Sequence, residues 1–218
     1  MENTKQQLEH LAAMRAMMER STRFLSLSGL SGLWAGLCAL AGAFFIYNYL
    51  EMRPFAVGGK FDYYERAIRA GRWGGDYVSV FIVLALAILG TALAGGIFFT
   101  WRKARRKGHK MWDASSRRLL WALFVPLTAG GIICLGLLLR GYVSLLAPLT
   151  LIFYGIALVS GSKHTLRDVE TLGILEILLG LIGIFYPGYG LELWTIGFGI
   201  LHIVYGAVMY LKYEKVEA

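Results

Sequence analysis

Six stretches of this chain are long and apolar enough to cross a lipid bilayer, and few folds can accommodate that many. They are residues 24–50, 77–101, 119–139, 143–160, 172–186 and 192–211. A helix needs about 20 mostly apolar residues to cross the hydrocarbon core. Inside lipid every backbone polar group must be satisfied within the protein, so such runs fold as helices. The expected fold is therefore all-α: a polytopic membrane protein with six transmembrane helices. The fifth run is short and is expected to extend into its polar flank. Hydrophobic residues make up 57% of the 218 and charged residues only 17%, too little polar surface for a soluble domain of this size.

The remaining residues set the orientation. Residues 1–23 read as a cytoplasmic amphipathic helix, with Leu8, Leu11, Met14 and Met18 on one arc. Arg15–Glu19 and Glu19–Arg23 support it at i,i+4 spacing. The apolar run that follows is too long for a signal-peptide core and reads as a retained signal anchor. Residues 24–218 form the six-helix transmembrane domain. Within it, 51–76 is the outer loop and 102–118 the basic inner loop. Arg102, Lys103, Arg105, Arg106, Lys107 and Lys110 in the inner loop are candidate contacts for anionic lipid. They also fix topology: with the N-terminus inside, sixteen of the 22 basic residues fall on the cytoplasmic side and six outside, so both termini are expected in the cytoplasm. The net charge of +8 then reflects membrane orientation and implies no nucleic-acid partner. The expected partners are membrane lipids and a second copy of the chain. Cys38 and Cys134 lie within apolar runs and suggest neither a disulfide framework nor a metal site.

Small residues recur at helical spacing. Ser28, Gly32 and Gly36, with Ala35, Ala39 and Ala43, let helix backbones approach closely, as intramolecular packing or as a homodimer seam. Gly90, Ala94, Gly95 and Gly96 do the same for the second run. Pro126 is expected to kink or break the third run. Shifted by about 45 residues, 119–160 overlays 171–211: Thr150 meets Thr195, Phe153 meets Phe198 and Gly161 meets Gly206. That pattern suggests a duplicated two-helix unit.

The hairpin 171–211, turning at 186–190, carries one ionisable residue inside each run: Glu176 and His202. They form a candidate intramembrane polar pair. Counted from the nearest polar flank, Glu176 sits about 8 Å deep and His202 about 15 Å, a gap bridgeable by side chains and water. Burial disfavours the charged form of each group and pairing restores it. Ionisable residues at this depth suit proton relay, polar substrate contact or pH sensing. The same pair also fits a structural hydrogen bond, from Glu176 to His202 or from His202 to a backbone carbonyl or Tyr205. Glu192 is expected to be solvated at the outer mouth, and His164 and Asp168 to form a solvated face of the inner loop. No zinc-protease, hydrolase-elbow, P-loop or dinucleotide motif occurs, so no catalytic residue, cofactor or metal is expected.

The segment LGILEILLGLIGIFYPGYGLELWTIGFGILHIVYGAVMY, with glycine-spaced helices around a proline turn, resembles the hairpin unit of the HdeD-like acid-resistance membrane proteins. These are small six-helix proteins of the bacterial inner membrane. The resemblance covers the last 80 or so residues; the basic linker and the 51–76 loop depart from the compact three-hairpin pattern. It implies a multi-pass bacterial inner-membrane protein with a role in stress protection. Two expectations follow: a non-enzymatic, stress-related or regulatory membrane protein acting through helix packing, lipid or partner contacts, or a small proton-linked transporter or channel using Glu176 and His202.

Overall fold

Long apolar sequences rich in leucine and alanine satisfy their backbones as helices. A computed structural model describes residues 28–49, 76–106 and 112–214, and among these it contains helices and turns but no strand. The amphipathic segment 1–23, almost all of the 51–76 loop, Lys107 and Lys110 lie outside the described residues. We number the helices α1 (Gly29–Tyr49), α2 (Asp76–Arg106), α3 (Ala114–Leu139), α4 (Leu146–Ser162), α5 (Asp168–Phe185) and α6 (Gly190–Tyr213). A short 3₁₀ turn, Val143–Leu145, leads into α4. Five of the six are long and apolar enough to cross a membrane, the exception being α5, which carries Asp168, Glu170 and Glu176 within 18 residues. The outward faces are apolar too: Val83, Leu86, Leu89, Leu93 and Ile97 form an exposed row along α2. An apolar exterior over an apolar interior fits a multi-pass membrane protein.

Glycines decide which helices touch. A Cβ at Gly155 of α4 would fall 2.5 Å from the Gly173 carbonyl oxygen of α5, and one at Gly180 would fall 2.7 Å from the Pro148 carbonyl oxygen. A Cβ at Gly206 of α6 would fall 2.5 Å from the Leu33 amide nitrogen, and one at Gly36 of α1 2.8 Å from the Gly199 carbonyl oxygen. The α1 stripe is therefore spent within the molecule, against α6. On α2 the expectation holds for one glycine only. Trp34 of α1 lies over Gly95 and its Nε1 donates to the Thr91 carbonyl at 2.9 Å, while Gly90 and Gly96 face open space. α3 packs on α4 through Phe153 against Gly130 and Leu119 and Leu123 against Gly161. The tight seams thus join α4 to α5 and α1 to α6, and α5 and α6 of the expected hairpin meet less closely.

One end of the bundle is tied by charge. The Glu214 carboxylate accepts from Ser28 Oγ at 3.1 Å, from the Gly29 amide at 2.7 Å and from Lys103 Nζ at 3.3 Å. It satisfies donors at the start of α1 and joins the ends of α1, α2 and α6. Lys103 is buried in this knot, so it differs from Arg102, Arg105 and Arg106, which stay exposed. A lysine so paired is not available to a lipid headgroup. Asp113 caps α3, accepting from the Ser116 amide at 2.7 Å while Ser116 Oγ accepts from the Asp113 amide at 2.8 Å. These bonds from Ser116 hold the Asp113 carboxyl below the usual carboxylate range. The helix α3 runs unbroken through Pro126. Gly141, at φ 82°, makes the tight turn into α4, a conformation other residues rarely adopt.

Candidate functional site

The site forms where α4, α5 and α6 converge. Helix α6 is π-helical over Thr195–Leu201, the turns that deliver His202. Such stretches recur at functional sites because they re-aim side chains within a continuous helix. Two glycines fit this one between its neighbours. Gly199 takes the Leu40 side chain of α1, and Gly197 takes the Glu176 carboxyl and Leu151. A side chain at 197 would occupy the volume that the Glu176 carboxyl fills.

Glu176 is 0% exposed and His202 4%. His202 Nδ1 lies 3.3 Å from Glu176 Oε1 and 3.0 Å from the Gly197 carbonyl oxygen. Its Nε2 lies 2.8 Å from the Tyr154 hydroxyl of α4. Two oxygens face Nδ1, so that nitrogen carries a hydrogen. In the neutral ring Nε2 then accepts from Tyr154. The aligned Nδ1–H bond goes to Gly197, and the approach to Glu176 is an ion-pair distance without hydrogen-bond alignment. Phe198 stacks on His202 with ring centroids 5.8 Å apart, and it meets Tyr154 at 4.8 Å and Trp194 at 5.1 Å in tilted contacts.

Among the described residues, three buried side-chain polar atoms have no hydrogen-bond partner: both Glu176 oxygens and the Tyr205 hydroxyl. All three lie on the facing sides of α5 and α6. A buried polar atom left without a partner costs about 1–3 kcal/mol. Two such groups in one place therefore mark a locality under some demand other than stability.

Glu176 lies deeper than its place in the apolar run suggests, because α5 starts earlier than that run. That helix begins at Asp168, a full turn before the apolar run, and Asp168 accepts from Lys212 Nζ at 2.9 Å and from the Tyr213 hydroxyl at 2.8 Å. Measured from that shared level, Glu176 is about 12 Å deep and His202 about 15 Å. The register pinned by Asp168 thus brings the two together. Asp168 faces Lys212 and not a metal partner in the inner loop; among the described residues no three histidine, cysteine or acidic side chains gather as metal ligands. Glu192, expected in solvent, is 6% exposed and within electrostatic range of Tyr47. Cys38 and Cys134 are both free thiols.

Sequence reasoning missed Tyr154 and Gly197. A signal existed for the first: Tyr154 lies mid-way along an apolar helix, away from the interfacial belts where tyrosine normally sits. Gly197 carried no such signal, because glycine is frequent throughout these helices. Comparison with family models, with curated proteins and with solved structures finds no match to this chain. The likeness to the HdeD-like hairpin therefore rests on the residue pattern alone.

Proposed function

We propose that the chain is a small proton-linked transporter or channel of the bacterial inner membrane. It spans the bilayer six times, with α5 as the sixth span, and keeps both termini in the cytoplasm. Glu176 is the proton-binding group, and His202, held by Tyr154 and the Gly197 carbonyl, is its exchange partner. The observation that carries this reading is a fully buried carboxyl, 3.3 Å from an imidazole, with neither oxygen in an aligned hydrogen bond. Ionisable groups in such positions are expensive to keep and mark proton or ion pathways. A proton on Glu176 beside neutral His202 and a charged His202 beside ionised Glu176 carry the same net charge; since Nδ1 already carries a hydrogen, a proton leaving Glu176 reaches the ring at Nε2, the nitrogen that faces the Tyr154 hydroxyl. Exposed Arg102, Arg105 and Arg106 supply the cytoplasmic basic face and contacts for anionic lipid.

Vesicles enclosing a pH-sensitive dye test the reading. An imposed potential should acidify or alkalinise vesicles carrying the protein faster than empty ones. Glu176→Gln should remove that excess, and His202→Ala should reduce it. Equal rates for wild type and Glu176→Gln would sink the transport reading. The second reading is a non-enzymatic, stress-related or regulatory membrane protein that acts through packing, lipid or a partner, with the Tyr154–His202–Glu176 cluster as structural glue. It is favoured by the aromatic packing around His202: Phe198 stacks on the imidazole and Trp194 packs on Phe198.

A further inference from the structure

The second partnerless group is the hydroxyl of Tyr205, whose ring packs on the buried cluster of Leu158, Leu166, Val169, Leu172 and Met209. Its place is informative. On α6, His202, Tyr205, Met209 and Tyr213 follow one another at spacings of three and four, which puts them on one helix face. On α5, Asp168, Leu172 and Glu176 do the same at spacings of four. The two faces meet at both ends. Tyr213 and Lys212 bond Asp168 at the bundle end, and His202 approaches Glu176 at depth. Met209 and Leu172 are buried between them. Tyr205 stands one turn from His202 on the way out. Its hydroxyl is within electrostatic range of Tyr154 on one side and of Asp168 and Tyr213 on the other. Asp168 reaches water, its side chain being 34% exposed and that of Lys212 54%.

Hydroxyls and imidazoles are the side chains that carry protons by passing one on as they take the next. Phe198, the ring stacked on His202, offers no such group, and Trp194, packed in turn on Phe198, offers only its indole N–H. We propose that Tyr205, with Tyr154, passes protons between the buried Glu176–His202 pair and the water-facing Asp168, so that the site is loaded from the Asp168 end of the bundle. Each hydroxyl gives up its own proton as it accepts another, so no tyrosinate accumulates and no co-reactant is consumed. The unspent donor and acceptor of Tyr205 are what a bridging water needs on either side.

The inference rests on Glu176 binding a proton, but not on transport. Infrared spectroscopy of the full chain in lipid vesicles separates the two. The carboxyl band of protonated Glu176 is the one that Glu176→Gln removes, and its shift in D₂O reports how fast that proton exchanges with water. Tyr205→Phe should slow the exchange about tenfold or more while leaving the band's pH midpoint in place. Asp168→Asn should slow it less, and Tyr210→Phe, on the exposed side of α6, should leave it alone. Because the Tyr205 hydroxyl bonds nothing among the described residues, removing it leaves none of them stranded, and Tyr205→Phe should fold as well as wild type. An unchanged exchange rate in Tyr205→Phe overturns the relay and leaves Glu176 as a proton site. A chain without any band removed by Glu176→Gln overturns both. Absent dye flux with a Tyr205-dependent exchange rate rejects transport and keeps the relay.

Discussion

Helix α5 packs between α4 and α6, and it meets the two in opposite ways. Against α4 it presents Gly173 and Gly180, and backbone meets backbone. Against α6 it presents Asp168, Leu172 and Glu176, and side chains meet side chains. Both partners are apolar and rich in glycine, so composition does not separate them. Position does. Where glycines of both helices coincide, the backbones close and leave no room for an ionisable group. Where a glycine faces a long side chain, as Gly197 faces Glu176, the space serves a carboxyl. The same residue type thus either excludes chemistry from an interface or admits it.

Substitution at the glycines puts this contrast to its hardest test. Gly155→Val forces a side chain onto the Gly173 carbonyl and should cost about 3 kcal/mol or more, read as denaturant unfolding in micelles. Gly131→Ala on α3, whose Cβ would meet nothing within 4 Å, should be neutral or stabilising by up to about 1 kcal/mol. Equal stability of the two variants would erase the distinction between closed and open glycines. A smaller effect sharpens the role of charge at the ends. Lys103→Met leaves Glu214 holding Ser28 and Gly29 without its cation and should cost about 2 kcal/mol in the same assay. Should it be silent, the α1–α6 seam stands on its glycines alone. The smallest effect falls at the start of α3, where Asp113→Ala removes the cap for about 1 kcal/mol. The Asp113 carboxyl is held below its usual range in the fold, so its contribution is complete above the unfolded-state value and fades as pH drops through the lower folded-state one. Wild type should therefore lose stability in acid relative to Asp113→Ala, with the two curves converging at the lowest pH.

The apolar runs announced the helices, and Glu176 and His202 stood out because an ionisable residue inside such a run is rare. Helix adjacency was harder to read. Gly155, Gly173, Gly180 and Gly206 are visible in the chain, but which of them coincide depends on three-dimensional register, and the sequence pattern paired α5 with α6 as a hairpin. Tyr154 joined the site from α4 for the same reason. Lys103 was hidden in a basic run whose charge already had a sufficient explanation in topology, and its partner Glu214 lay 111 residues away. Glu192 was expected in water because its run begins at the outer mouth, whereas here it is buried. The π-helical stretch has no sequence signature beyond two glycines.

That stretch leaves a trace in descent. Positions 176 and 197 are coupled, since the Glu176 carboxyl, with Leu151, lies where a side chain at 197 would begin. Alanine at 197 requires the Glu176 carboxyl and Leu151 to move aside, so a change at 197 bears on the acid at 176. Among distant chains too diverged for overall similarity to register, an acid and a glycine at these two positions would be an inherited mark of the same buried site.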